Sequence, residues 1–404
     1  MCYYYLNVIN IIRRAKMNYN FSDLDKYLDS VLVKEEVPGY DCKVFFEGKE
    51  VYRRMGGYAD RENKKPITED TMYFIYSASK VITCAAALHA YEEGYFNLTY
   101  PVWWYLPEFK DCLVKKWDEN WNLELVKLKK DMCIQDLFAM SAGLNYELHT
   151  DHVKKVVEET DGRAPTREVM KAIAKNSLEY QPRDRWGYSL CHDVLAGVVE
   201  VATGVRFADY VQKNIFDKLG MKDSYFHVNN EIKPRLAQLY VHNSEDGHTY
   251  LRKQENDYIV GTEYDSGGAG VITTLNDYSK FAYAMVNGGV GQNGERILSR
   301  LTIDLMRTNV LDEKRLKDFK SWDTNAEYGY GLGVRTKMDI GWGGNLTQVG
   351  EFGWDGAAGA MVSISPERTI AIVYFQHMLN PLGNIIHPKI KNIVNMALAD
   401  KFDK

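Results

Sequence analysis

The sequence predicts an α+β fold: an antiparallel sheet built from both chain termini and flanked by helices, with a mainly helical domain inserted between them. Three observations predict it. β-rich runs fold back on themselves near the start, in CKVFFEGKEVYRRMGGYA (42–59), and again near the end, in AMVSISPERTIAIVYFQH (360–377). Between them, from about 70 to 250, the apolar spacing is mainly helical.

Taken in order, NFSDLDKYLDSVLVKEE (20–36) opens the fold as a helix capped by Asn20 or Ser22. The first hairpin turns near Glu47-Gly48-Lys49. A short β-like run, Met72 to Ile75, then enters FIYSASKVITCAAAL (74–88), which is apolar on every side and so reads as a buried helix. Lys171 to Leu178 and Val194 to Thr203 carry helical periodicity, the latter ended by Gly204 at a C-cap position. The second hairpin turns at Pro366-Glu367-Arg368, and a closing helix runs from about Asn384 to Asp400. These elements divide the chain into a sheet domain (21–90 and 260–404), a mainly helical domain (91–259) and an N-terminal extension (1–20) for which disorder is one reading.

Composition narrows the function. An apolar content of 45% and a charged content of 26% describe an ordinary globular protein. The net charge of -5, with no long basic run, argues against nucleic acid as a partner. No stretch approaches the ~18 apolar residues of a membrane span. At the start, Arg13, Arg14 and Lys16 follow the apolar piece, the wrong polarity for a secretory signal, and Met17 is a second candidate start. A cytoplasmic protein with six reduced, mostly core cysteines is expected. His149 and His152 have no third ligand at metal-site spacing, so no metal or other cofactor is expected.

The chemistry begins with Lys80, an ammonium one turn into an otherwise apolar helix. Such a group snorkels to the surface, or it has a partner. Ser77 stands three residues earlier on the same helix face, where backbone N–H groups favour an alkoxide and an oxyanion. Tyr188, just before the helix at Val194, is either a half-buried packing residue or a phenol that ionises beside Lys80 and takes the serine proton. A Ser77–His192–Asp193 triad is disfavoured, because adjacent His and Asp side chains cannot easily form the bond that orients a base. FGWDGAAGA (352–360) supplies small residues that let a strand come close to a ligand and offer an N–H opposite that of Ser77. Trp103, Trp104, Trp117, Trp121 and Trp186 either line a wide cleft or scatter through core and rim.

Taken together, these motifs resemble the serine β-lactamase and penicillin-recognising enzyme superfamily, most closely its class C-like branch of esterases and peptidases. The resemblance runs from about 22 to 400. EEGYFNLTYPVWWYLPEF (92–109), IQDLFAMSAGL (134–144), GGAGVITTLNDYSKFAYAMVNGG (267–289) and YGYGLGV (328–334) match further family segments in order. It implies Ser77 as the acylated nucleophile, Lys80 and Tyr188 as proton-transfer partners, and the N–H groups of Ser77 and Ala357 as the oxyanion hole.

Two departures bear on substrate. The family's Y-x-N motif is here Tyr188-Ser189-Leu190, and its K-T-G or H-x-G motif is Trp354-Asp355-Gly356. The cation that attracts a substrate carboxylate is gone, and Asp355 is expected to repel one by about 3 kcal/mol before screening. Trp354, Asp355, Gly356 and Leu190 are the expected substrate-binding residues. A carboxylesterase acting on small neutral esters is expected. A D-amino acid peptidase or amidase, with Asp355 pairing a substrate ammonium, and a weak β-lactamase are the alternatives. A non-catalytic binding module is a further one, although it would need none of Ser77, Lys80 and Tyr188.

Overall fold

The computed structural model describes residues 19–253, 255–341 and 343–402. The N-terminal extension lies outside them except for residues 19 and 20, as does the Met17 start. Asn20 accepts the Ser22 N–H at 3.1 Å, and the first helix runs Ser22–Lys34. The first hairpin pairs Gly39–Phe46 with Lys49–Asp60. Its loop is the two residues Glu47 and Gly48, both at positive φ (47° and 73°), the backbone of a type I′ turn that follows the right-handed twist of the strands.

Eight strands form one antiparallel sheet. Its order is Tyr328–Tyr330, Arg335–Lys337, Phe352–Asp355, Met361–Ser365, Ile370–Gln376, Gly39–Phe46, Lys49–Asp60 and Lys65–Pro66. The N-terminal strand therefore lies beside the C-terminal one, with Cys42 opposite Tyr374 and Val44 opposite Ile372. Both strands are buried on both faces, so their two-residue alternation sorts one apolar set from another. Tyr40, Cys42, Val44, Ile372 and Tyr374 pack with Leu24, Leu28, Ile386, Ile390 and Val394 of the two terminal helices. Phe45, Ala371, Val373 and Phe375 face the larger core, which includes the helices Ser79–Glu92, Cys191–Thr203 and Leu275–Val286.

The middle of the chain departs from the expected pattern in two places. Instead of a helix over 171–178, the helix is Thr166–Ile173. Leu178 is drawn into extended backbone by bonds with Leu113 (2.8 Å) and Lys115 (2.8 Å), because it borders a hairpin of Leu113–Trp117 and Leu123–Lys127. A second pair, Leu239–His242 with Thr249–Arg252, also interrupts the helical run. The helix Cys191–Thr203 ends as expected, with Gly204 left-handed at φ 70°. The C-terminal hairpin turns through Pro366–Arg368, and the closing helix is Gly383–Ala397. Among the described residues no helix is long and apolar enough to cross a membrane.

Candidate active site

Ser77 lies in a tight turn, Tyr76–Ala78, between the strand Met72–Phe74 and the helix Ser79–Glu92. Tyr76 holds φ at 46°, a left-handed conformation that costs a non-glycine residue of order 1–3 kcal/mol and persists only where the surroundings enforce it. They do so here through four bonds. Ile75 N–H reaches the Val271 carbonyl (3.3 Å), Val271 N–H reaches Ser79 Oγ (3.0 Å), Thr83 Oγ1 donates to the Gly267 carbonyl (2.7 Å), and the Tyr278 hydroxyl donates to the Ala78 carbonyl (2.9 Å). The segment at 267–271 thus braces the Ser77 turn. The result leaves Ser77 half-buried with Lys80 directly beneath it.

Lys80 is completely buried. Its Nζ donates to Ser77 Oγ at 3.2 Å, to the Tyr146 hydroxyl at 3.0 Å and to the Gly268 carbonyl at 2.8 Å. Three acceptors for three ammonium protons is a complete set. Burial pulls the pKa of Lys80 down, but the phenolic oxygens of Tyr146 and Tyr188 and the Asp193 carboxylate outweigh it, so the group stands above an ordinary lysine. Tyr188 presents its ring face to the ammonium, 4.7 Å from the centroid. Its hydroxyl accepts from Trp354 Nε1 at 3.2 Å.

Around this centre stands an aromatic wall. Tyr146 and Tyr188 stack at 5.2 Å with planes 9° apart, and Tyr188 stacks on Trp354 at 5.7 Å. Trp322 meets Tyr188 edge-on at 5.5 Å, and Tyr258 meets Tyr146 edge-on at 5.4 Å. Of the tryptophans expected at a cleft, Trp186 joins this wall, 6.4 Å from Tyr188, whereas Trp117 and Trp121 are exposed on the 113–127 hairpin.

A Cβ on Gly356 would fall 2.2 Å from the Ile75 carbonyl, so only glycine permits this approach of the strand to the turn that carries Ser77. Ala357 is exposed in the turn that follows the strand rather than on the strand itself. That turn uses the Gly356 N–H on the Ala360 carbonyl (2.7 Å) and the Gly359 N–H on the Gly356 carbonyl (2.9 Å), and among the described residues no such bond takes the Ala357 N–H.

Two expected roles change. Asp355 is not a free carboxylate facing substrate: it holds Arg335 through both oxygens (2.6 and 3.0 Å), with His387 Nδ1 at 3.6 Å. Burial would raise its pKa, but Arg335 and His387 prevail and hold it well below the usual carboxylate range. The pair is neutral overall, so the expected repulsion of an anion falls away, as does the carboxylate that would pair a substrate ammonium. Asp355 and Gly356 instead line a cavity of about 540 Å³ shared with Arg335, Asn384, His387 and Lys391 at the start of the closing helix. Leu190 is buried in the main core, its N–H on the Asn145 carbonyl (3.0 Å), and so packs beneath the site. His192 is no base for Ser77. Burial lowers its pKa to about 3, with Lys80 pushing the same way, and Nε2–H donates to the Phe138 carbonyl at 3.2 Å.

Sequence reasoning passed over Tyr146, Trp322, Tyr258 and Arg335. Tyr146 stands in a loop just after IQDLFAMSAGL, and that proximity to a matched segment is the one signal that could have found it. The five described cysteines are free, and no His, Cys, Asp and Glu group suited to a metal occurs among the described residues.

A half-buried serine above a buried lysine, with two tyrosines over the ammonium and an antiparallel sheet alongside, defines a serine hydrolase of the β-lactamase and penicillin-binding type. The chain belongs to the Beta-lactamase family, whose model matches residues 24–385. It is similar to esterase EstB of Burkholderia gladioli, 32% identical over 276 residues, covering 63% of this chain and 67% of that protein. It is also similar to the human serine beta-lactamase-like protein LACTB, mitochondrial, 26% identical over 361 residues, covering 75% of this chain and 64% of that one. Among solved structures, simvastatin synthase (LovD) from Aspergillus terreus shares the fold at a TM-score of 0.79, 20% identical, covering 95% of this chain and 99% of that one.

Proposed function

We propose that the chain is a carboxylesterase that cleaves neutral esters through an acyl-enzyme on Ser77. The observation that carries this is the saturated Lys80 ammonium, which touches Ser77 and lies against two tyrosines. An ammonium so placed stabilises a phenolate, and Tyr188 in that form accepts the Ser77 proton as Oγ attacks the ester carbonyl. The N–H groups of Ser77 and Ala357 receive the oxyanion. The intermediate collapses, the alkoxide leaves with the proton from Tyr188, and water repeats the sequence on the acyl-enzyme to release the acid and free Ser77.

Preference for neutral esters follows from what replaces the usual anion anchor. Trp354 occupies the cationic position of the third motif, and the nearby Arg335 is consumed by Asp355. The substrate side of the site is thereby aromatic and uncharged, in keeping with the name of its EstB relative. A paired assay tests this: hydrolysis of a short-chain p-nitrophenyl ester and of a chromogenic cephalosporin, by wild type and by Ser77→Ala. Ester turnover that vanishes in the variant, with little cephalosporin turnover, is expected. Cephalosporin turnover equal to ester turnover would overturn the neutral-ester reading.

A further inference from the structure

Asp193 has no part in the steps above, yet it is a carboxylate 2% exposed, beneath Lys80. Its Oδ1 accepts from the Tyr264 hydroxyl (2.8 Å), Ser266 Oγ (2.8 Å) and the Gly268 N–H (3.2 Å). All three donors are neutral. Among the described residues no lysine, arginine or histidine forms an ion pair with it at 4 Å or less.

The other oxygen lies against Gly268, whose carbonyl accepts from Lys80. A Cβ built on Gly268 would stand 2.5 Å from Asp193 Oδ2 and 3.4 Å from Lys80 Nζ. The two charged atoms are therefore separated by no more than the sum of those distances. The groups that face Lys80 are Ser77 and Cys84 from its own segment, Tyr146, Tyr188 and Tyr258 from the loops above, and His192 and Asp193 from the helix Cys191–Thr203. Of these, Asp193 is the one carboxylate. A buried carboxylate and a buried ammonium are each costly alone, and mutual attraction across a short gap offsets that cost.

We propose that Asp193 is the counter-ion of Lys80, a positioning residue that keeps the ammonium in place beneath Ser77, and that residue 268 is glycine because a methyl there would fill the space across which they interact. This rests on the reading of Lys80 as a working ammonium. Asp193→Asn keeps an oxygen for Tyr264, Ser266 and Gly268 but removes the charge. The pH profile of kcat/KM for a p-nitrophenyl ester, normalised to active sites titrated with a fluorophosphonate, is the readout. The pH at which activity is lost on the alkaline side should fall by roughly one to two units, the usual effect of one opposite charge at this range. Gly268→Ala, which displaces the carboxylate without removing it, should move the alkaline side in the same direction and decides the matter if the Asn variant does not fold. Tyr264→Phe, which removes a supporting bond and leaves the charge, should leave the profile in place. Variants at 193 and 268 that superimpose on wild type would overturn the proposal. A Lys80→Met enzyme with wild-type turnover would instead remove the reading of Lys80 on which it stands.

Discussion

Tyr146 and Tyr188 stack face to face, yet they meet the site through different atoms. Tyr146 gives its oxygen to Lys80, while Tyr188 gives its ring face to Lys80 and its oxygen to Trp354. The two phenols can therefore be told apart by substitution. Tyr188→Phe should lower kcat by ~10²–10⁴-fold, the scale of a positioned proton-transfer group. Tyr146→Phe leaves one proton of a buried ammonium without an acceptor and should destabilise the fold by about 1–3 kcal/mol, with a smaller loss in kcat. Steady-state kinetics alongside denaturant unfolding separates these outcomes, and the reverse ranking would make Tyr146 the base. At this scale Ser77, Lys80 and Tyr188 were legible because each stands at a recognisable spacing or boundary. Tyr146 was not, because an irregular loop has no period to betray which way a side chain points.

Adjacent strands set the chemistry of the third motif. Arg335 and Asp355 sit on neighbouring strands, Arg335–Lys337 and Phe352–Asp355, and pair through the two terminal guanidinium nitrogens. The Arg335 side chain is 8% exposed and that of Asp355 34%. Asp355→Asn would strand the arginine. A fully buried pair broken in this way costs ~3–5 kcal/mol, and the partial exposure of Asp355 brings the expected loss down to about 2 kcal/mol. Thermal unfolding measures it, and an unchanged Tm would mean that solvent already screens the pair. The pairing itself could not be read from the sequence, since it depends on which strands become neighbours and in what register. The hairpins could be read, because Glu47-Gly48 and Pro366–Arg368 are local turn signals flanked by β-rich runs. The helix at 171–178 misled for the converse reason: its apolar spacing is local, but Leu178 is captured by Leu113 across 65 residues of chain.

Burial of His192 and His377 in the interior ties the stability of the molecule as a whole to pH. His377 follows the last long strand and joins three segments: Nδ1–H faces the carbonyls of Ala237 and Gln238 (both 3.1 Å), and Nε2 accepts the Phe74 N–H at 3.2 Å, three residues before Ser77. Burial lowers its pKa to about 4 and that of His192 to about 3, against about 6.5 for an unfolded chain. With the folded value below the unfolded one, the unfolded chain binds the extra proton between those limits, so each histidine contributes stability that is complete above about pH 6.5 and declines as pH falls toward its folded pKa. Each proton taken up on unfolding gives a slope of about 1.4 kcal/mol per pH unit. His377→Gln removes one such proton. Its unfolding free energy, followed by denaturant titration from pH 6 to pH 4.5, should therefore vary less steeply than wild type by about that amount, whatever the carboxylates add to both slopes. Parallel slopes would mean that His377 already takes up its proton in the folded state. The Phe74 N–H would then have lost its acceptor at Nε2, and the strand that leads into the Ser77 turn would be held without this bond.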